Sequence, residues 1–254
     1  MARARARSGA GSQTPFRLVS DGLSDIGLVR RRNEDAFLDR PEAGLWAVAD
    51  GMGGHEAGDY ASGSIIEALA GLESGNGRDL LRRTAERALT EVDRNLRNRA
   101  AVLGPDALIG STVVVLMIRG AAFGCVWAGD SRLYRRRAGE LQRLTTDHSQ
   151  AQELIDAGVL SEAEARYHPS AHIVTQAIGS GNLDFGWVEG KVLPGDRFLL
   201  CSDGLTNVVG DPEIAQQLGD GAPAEIAARL RDAVLSRGAP DNVTIVIVAA
   251  EPAG

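Results

Sequence analysis

The chain has 254 residues, with 34 acidic against 27 basic side chains and a formal charge of −7. Hydrophobic residues make up 44% and charged residues 24%, a globular composition that excludes disorder for the bulk of the chain. The acidity argues against a nucleic-acid partner, because phosphate backbones attract basic surfaces.

The first fifteen residues, MARARARSGAGSQTP, are basic and lack the apolar stretch of a secretory signal. They read as a disordered tail carrying Arg3, Arg5 and Arg7, followed by one domain over 16–254. Leu45–Ala49 reads as the first buried strand, and Ala57–Leu72 as a helix with Ile65, Ile66, Leu69 and Leu72 on its apolar side. Leu81, Ala85, Ala88, Leu89, Val92 and Leu96 recur at steps of three and four, which predicts an amphipathic helix within Arg78–Arg99. Thr112–Ile118, Ala122–Ala128, Phe198–Cys201 and Val243–Val248 are further short apolar runs bounded by Gly, Asp or Asn, the pattern of strands covered on both faces. Between them, 149–175 is polar and reads as an exposed helix-turn and loop. A last helix spans about Ala224–Ser236, entered through Pro223 and ended by Gly238. Strands and helices do not alternate regularly, so a parallel doubly wound sheet is a poor fit and layered antiparallel sheets with flanking helices a better one: the fold class is α+β. No apolar run approaches the roughly 20 residues of a membrane helix, and the expected location is cytoplasmic. Cys125 and Cys201 each sit inside an apolar run and read as buried free thiols.

Marking the acidic residues that abut these strands exposes a pattern. Leu45–Ala49 runs into Asp50-Gly51, Ala122–Ala128 into Gly129-Asp130, Phe198–Cys201 into Ser202-Asp203-Gly204, and Asp241-Asn242 precedes Val243–Val248. An unpaired carboxylate at the edge of a core is costly, and each must be hydrogen-bonded, ion-paired or metal-bound. Any one of them is explained by a turn, since Asp-Gly is a common hairpin signal. Together they suit hard divalent cations, which prefer carboxylate and carbonyl oxygens. Two such ions about 3.5–4 Å apart can bind a phosphoryl group and activate a water. The two isolated cysteines and the histidines at 55, 148, 168 and 172 show no zinc-binding spacing.

Six motifs in order, Arg30-Arg31-Arg32-Asn33-Glu34-Asp35, Asp50-Gly51-Met52-Gly53-Gly54-His55, Gly110-Ser111-Thr112, Gly129-Asp130-Ser131-Arg132, Ser202-Asp203-Gly204-Leu205 and Asp241-Asn242, resemble the metal-dependent Ser/Thr protein phosphatases of type 2C, the PPM family, in its bacterial single-domain branch. The resemblance implies a four-layer α-β-β-α sandwich and direct hydrolysis of phosphoserine or phosphothreonine with two Mn²⁺ or Mg²⁺ ions. It implies that Asp50 bridges the two metals with the Gly51 carbonyl on one of them, and that Asp203 and Asp241 complete the second. Glu34 and Asp35 would hold water beside the metals, and Arg30 would grip the substrate phosphate. Asp130 matches a ligand of a third metal seen in several members. Asn207 stands where that site's second carboxylate is expected, so a third ion at Asp130 would bind weakly. His55 is the candidate acid for the leaving oxygen, with a structural role as the alternative. His148 reads as a structural loop residue. Segment 149–175 matches a flap near the active site. The implied partners are phosphorylated proteins, among them a cognate Ser/Thr kinase and its substrates; a monomer is the default. A non-enzymatic member of the same fold and a metal-dependent nuclease are the rival readings. The retained aspartates oppose the first, and the acidic surface opposes the second.

Overall fold

The structure, a computed structural model, describes residues 14–53, 57–72, 78–165, 168–170, 173–181 and 183–253. The expected tail, apart from Thr14 and Pro15, lies outside them, as do His55 and His172.

Two antiparallel sheets stack face to face. The five-stranded sheet has the order β1 (Phe16–Asp25), β11 (Val243–Pro252), β10 (Arg197–Cys201), β7 (Arg132–Arg137), β8 (Glu140–Arg143). The six-stranded sheet has the order β2 (Asp35–Arg40), β3 (Leu45–Gly53), β5 (Val113–Arg119), β6 (Ala122–Ala128), β9 (Gly186–Lys191), with β4 (Ile109–Ser111) pairing the end of β3. Helices α1 (Ala57–Ala70) and α2 (Arg78–Leu103) cover the outer face of the six-stranded sheet; α5 (Asp203–Thr206), α6 (Asp211–Gln217) and α7 (Pro223–Leu235) cover the other. The expected α+β sandwich of four layers is the observed one.

Side-chain alternation along the strands builds these layers. Trp46 and Val48 point between the sheets with Val114, Leu116, Phe198, Leu200, Val246 and Val248. Leu45, Ala47 and Ala49 of the same strand face Ile65, Leu69, Leu89 and Leu96 of the helices. On the far side, Leu199, Ile245 and Ile247 meet Ile226, Leu230 and Val234 of α7. Both faces of the central strands are therefore buried, which is why they read as nearly continuous apolar runs. Phe123 and Phe198 meet edge to face across the sandwich at 5.2 Å between centroids, and burying a ring of this kind contributes roughly 1.5–3 kcal/mol. Cys125 and Cys201 are buried free thiols in different layers.

The named apolar runs fall on β3, β5, β6, β10 and β11, with ends within a few residues. The sequence pattern does not predict strands β1, β2, β4, β7, β8 and β9. RLYRRR pairs with the edge strand ELQR, and both mix half-buried or exposed polar side chains with few apolar ones, so hydropathy alone does not separate them from loops. Segment 149–175 does hold a helix-turn, with α3 (Gln150–Asp156) and α4 (Glu162–Ala165), and its ends are stitched by Gln150 N–H to the Ile173 carbonyl and a bridge between Ser149 and Val174.

Candidate active site

The same end of both sheets carries the acidic residues. On the five-stranded sheet, β10 ends at Cys201 opposite Ile245, so Ser202-Asp203 and Asp241-Asn242 emerge side by side. On the six-stranded sheet, the register pairs Asp35 at the start of β2 with Asp50 near the end of β3, and Gly129-Asp130 follows the end of β6. Most of these acidic residues line a cleft of ≈ 910 Å³, with Arg30, Glu34, Asp50, Gly51, Asp130, Asp203, Asn207 and Asp241 in its wall, while Asp35 is buried beside Asp50.

A network of hydroxyls fixes Asp35. Its Oδ2 accepts from Ser202 Oγ at 2.8 Å and Thr244 Oγ1 at 2.7 Å. Because Thr244 gives its one proton to Asp35, it must accept from Ser24 Oγ, 2.7 Å away. Ser24 in turn accepts from Asn33 Nδ2 at 2.7 Å. Asp35 Oδ1 is buried and has no hydrogen-bond partner. An orphaned anionic oxygen is expensive, and burial, with the charges of Asp203 and Asp241 adding to it, pushes the Asp35 carboxyl up to about 7 against the two hydroxyls that pull it back.

Asp50 is held through its backbone. Its carbonyl accepts from Ser111 Oγ and Thr112 N–H, both at 2.9 Å, and its N–H donates to Thr112 Oγ1 at 3.2 Å. Thr112 is tied in turn to Ser131 Oγ at 2.7 Å. The Gly110-Ser111-Thr112 motif thus buttresses the aspartate. Burial, then the charges of Asp35, Asp203, Asp130 and Asp241, hold the Asp50 carboxyl well above the usual carboxylate range. Gly51 N–H donates to the Glu34 carbonyl at 3.0 Å. A Cβ on Gly51 would lie 2.1 Å from the Gly58 carbonyl oxygen of α1, so no other residue lets the helix approach this closely. Glu34 accepts from the Gly58 N–H, and its carboxyl is raised by burial and by Asp59.

Burial and the charges of Asp203 and Asp147 push Asp130 up to about 8. Beside it, Arg132 makes a fork to Asp147 at 2.9 and 2.6 Å, so this arginine holds the turn. His148 accepts from Gly129 N–H at 3.4 Å and stacks on Trp127 at 6.0 Å, the structural role expected of it. Asn207 Nδ2 donates to Asp203 Oδ2 at 3.0 Å. Arg30 Nη2 donates to Asp241 Oδ2 at 2.6 Å, a contact the sequence did not suggest, and this bond raises the Arg30 pKa further.

Asn242, the second residue of the Asp241-Asn242 motif, is the clamp of the site, a role its motif does not reveal. It is buried, its Oδ1 accepts from Glu34 N–H at 2.8 Å, and its Nδ2 donates to the Ile26 and Arg32 carbonyls, each at 2.9 Å. It fastens the arginine-rich turn to the start of β11. Thr244 was also missed; it is the single hydroxyl in the apolar run Val243–Val248, and that interruption was the available signal.

Among the described residues no three His, Cys, Asp or Glu side chains close around one point in ligating geometry. Asp241 is engaged by Arg30 instead. The donor set still fits divalent cations. It consists of hard oxygens, one buried oxygen lacks a partner, and carboxylates crowd so closely that their pKa values rise, a repulsion that bound cations relieve.

Comparison with known proteins agrees with this geometry. Residues 16–154 match the family model described as protein phosphatase 2C. The serine/threonine protein phosphatase PstP of Mycobacterium tuberculosis is 38% identical over 226 residues, 88% of this chain but 43% of that protein, so the chain spans less than half the length of this relative. Among solved structures, PppA, described as a key regulatory component of T6SS in Pseudomonas aeruginosa, superposes with a TM-score of 0.87 at 41% identity, covering 94% of this chain and all of that one. The catalytic domain of PstP in complex with two manganese ions gives 0.83 at 36% identity, covering 92% and 98%. Sheet order, the carboxylates gathered at one sheet end and these matches lead to one conclusion: the chain belongs to the protein phosphatase 2C family.

Proposed function

We propose that the protein is a metal-dependent serine/threonine protein phosphatase that hydrolyses phosphoserine and phosphothreonine in proteins. The observation that carries the proposal is the meeting of Asp50, Asp130, Asp203 and Asp241 from both sheets at one cleft that Arg30 also lines, with buried Asp35 paired to Asp50. Asp50 and the Gly51 carbonyl, with Asp203 and Asp241, are the proposed ligands of two Mn²⁺ or Mg²⁺ ions. Such ions supply Lewis acidity toward a phosphoryl oxygen and lower the pKa of a water. A third ion at Asp130 is disfavoured because Asn207 brings an amide donor to Asp203 where a further carboxylate would be needed.

The chain's own residues do the rest. Asp35, fixed by Ser202 and Thr244, offers its second oxygen to orient a water, and Glu34 does the same from the wall of the cleft. Arg30 uses one edge of its guanidinium on Asp241, which leaves further donors for the phosphate oxygens on which charge builds during in-line displacement. His55, two residues after the cleft-lining Gly53, is the proposed donor of the proton to the leaving oxygen. Phosphorylated substrates of a Ser/Thr kinase, and the kinase itself, are the proposed partners, in keeping with the relatives described as Ser/Thr phosphatases.

The test is direct. Purified protein with Mn²⁺ should hydrolyse para-nitrophenyl phosphate and a phosphothreonine peptide, and stop after EDTA treatment. Replacing a residue that only orients metal ligands costs about 10–100-fold, so Asp203→Asn should cost about 100-fold or more. Full turnover by that variant would show the two-cation assignment to be wrong.

A further inference from the structure

The turn that brings Arg30 to the cleft carries side chains that phosphate hydrolysis does not use. Leu28 and Val29 are 65% and 66% exposed, and Ile26 beside them is 39% exposed. Single exposed apolar residues are ordinary on a protein surface; three on one turn with a fixed backbone are not. Gly27 N–H donates to Asp25 Oδ1 at 2.9 Å, Leu28 N–H to the Ala239 carbonyl at 3.0 Å, and the Ile26 carbonyl accepts from Asn242 at 2.9 Å. Gly27 has φ +75°, and a Cβ there would lie 2.3 Å from the Asp241 carbonyl oxygen. The turn is therefore pressed onto the residue that bounds the cleft, in a conformation only glycine accepts cheaply. Held in this way, it presents its apolar groups in set positions, so a ligand meeting them loses little loop entropy.

The place of these groups indicates what meets them. Val29 directly precedes Arg30, which lines the cleft, and Ile173, 45% exposed, lines the same cleft from the end of the 149–175 segment. An extended peptide advances about 3.3–3.6 Å per residue, so the residues one or two places from a phosphorylated side chain in the cleft fall within reach of the turn.

We propose that Leu28 and Val29 form a specificity surface that receives an apolar side chain flanking the phosphorylated residue of a protein substrate. The proposal rests on the phosphatase reading above and adds to it a substrate class: segments in which a phosphoserine or phosphothreonine neighbours Leu, Ile, Val or Met. Arg31 and Arg32, exposed on the same turn, would instead favour acidic neighbours, and that alternative is an arm of the test.

Three phosphothreonine peptides, identical except for leucine, aspartate or glycine at the positions flanking the phosphothreonine, are assayed with Mn²⁺ alongside para-nitrophenyl phosphate. Removing a well-packed apolar contact changes kcat/KM by roughly 10-fold or more, so the wild type should favour the leucine peptide over the glycine peptide by about that factor. The gain should lie in KM, because a flank contributes equally before and during the chemistry. Leu28→Ser/Val29→Ser, with Leu28→Ala/Val29→Ala as a gentler second variant, should abolish the preference and leave glycine-peptide turnover within about twofold. Equal use of leucine and glycine peptides by the wild type, a stronger preference for aspartate, or a leucine preference that survives in both variants would overturn the proposal. Wild-type protein inactive on all four compounds would refute the phosphatase reading itself, a result distinct from active protein without flank preference.

Discussion

Replacing Asn242 by alanine tests whether the site is held together as the geometry indicates. The side chain makes three hydrogen bonds, to Glu34 N–H and to the Ile26 and Arg32 carbonyls, and is buried. Each such bond contributes about 0.5–1.5 kcal/mol net, so losing all three costs about 3 kcal/mol. For a chain of this size 1 kcal/mol moves Tm by roughly 2–4 °C, which makes the expected loss about 6–12 °C. Urea and thermal unfolding of the metal-free protein measure it. Asn242→Asp keeps the acceptor for Glu34 but sets an anionic oxygen against two carbonyls, and should destabilise at least as much. Because the clamp positions the Arg30 turn, kcat/KM on a phosphopeptide should also fall by about 10–100-fold in either variant. A loss below about 1 kcal/mol with unchanged kinetics would refute the clamp.

The crowded carboxylates lead to three further outcomes. With Asp35 raised to about 7, Asp130 to about 8 and Asp50 also raised, metal-free protein holds protons in the cluster at neutral pH, and Mn²⁺ binding at pH 7 should release about one to two of them. Calorimetry in buffers of different ionisation enthalpy counts these protons, and a value of zero would contradict the assignment. Since the folded values lie above the unfolded value of about 4, the metal-free fold keeps this contribution below pH 4 and loses it as pH rises through 7 to 8, a loss that bound metal should remove. Asn207→Asp exchanges the donor to Asp203 for a like charge and should lower the Tm of metal-free protein at pH 8, with Mn²⁺ restoring it; an unchanged Tm would show that the 3.0 Å bond does not hold Asp203.

Much of the fold was legible because the central strands are covered on both faces, so Leu45–Ala49, Thr112–Ile118 and Val243–Val248 are apolar at every position except Thr112 and Thr244, which serve the site. The margin of the sheet answers to no such demand. The edge strand β8 and its neighbour β7 carry ELQR and RLYRRR, whose pairing depends on a neighbouring strand that no local pattern encodes. The helices stood out for the opposite reason: one face of α2 meets the sheet and the other meets water, which forces spacing of three and four.

That several aspartates sit at strand ends next to glycines is a property of local order and is read directly from the chain. That these ends share one end of the sandwich follows from folding, because strand direction and sheet packing bring Asp50 and Asp203 to one cleft across more than 150 residues of chain. Folding alone dictates that Asp35 faces Asp50, that Asn242 and Thr244 hold the arginine turn and the buried carboxylate, and that Arg30 rests on Asp241. The net charge of −7 conceals this arrangement, since a total records the balance of charges and their energy depends on how closely folding packs them.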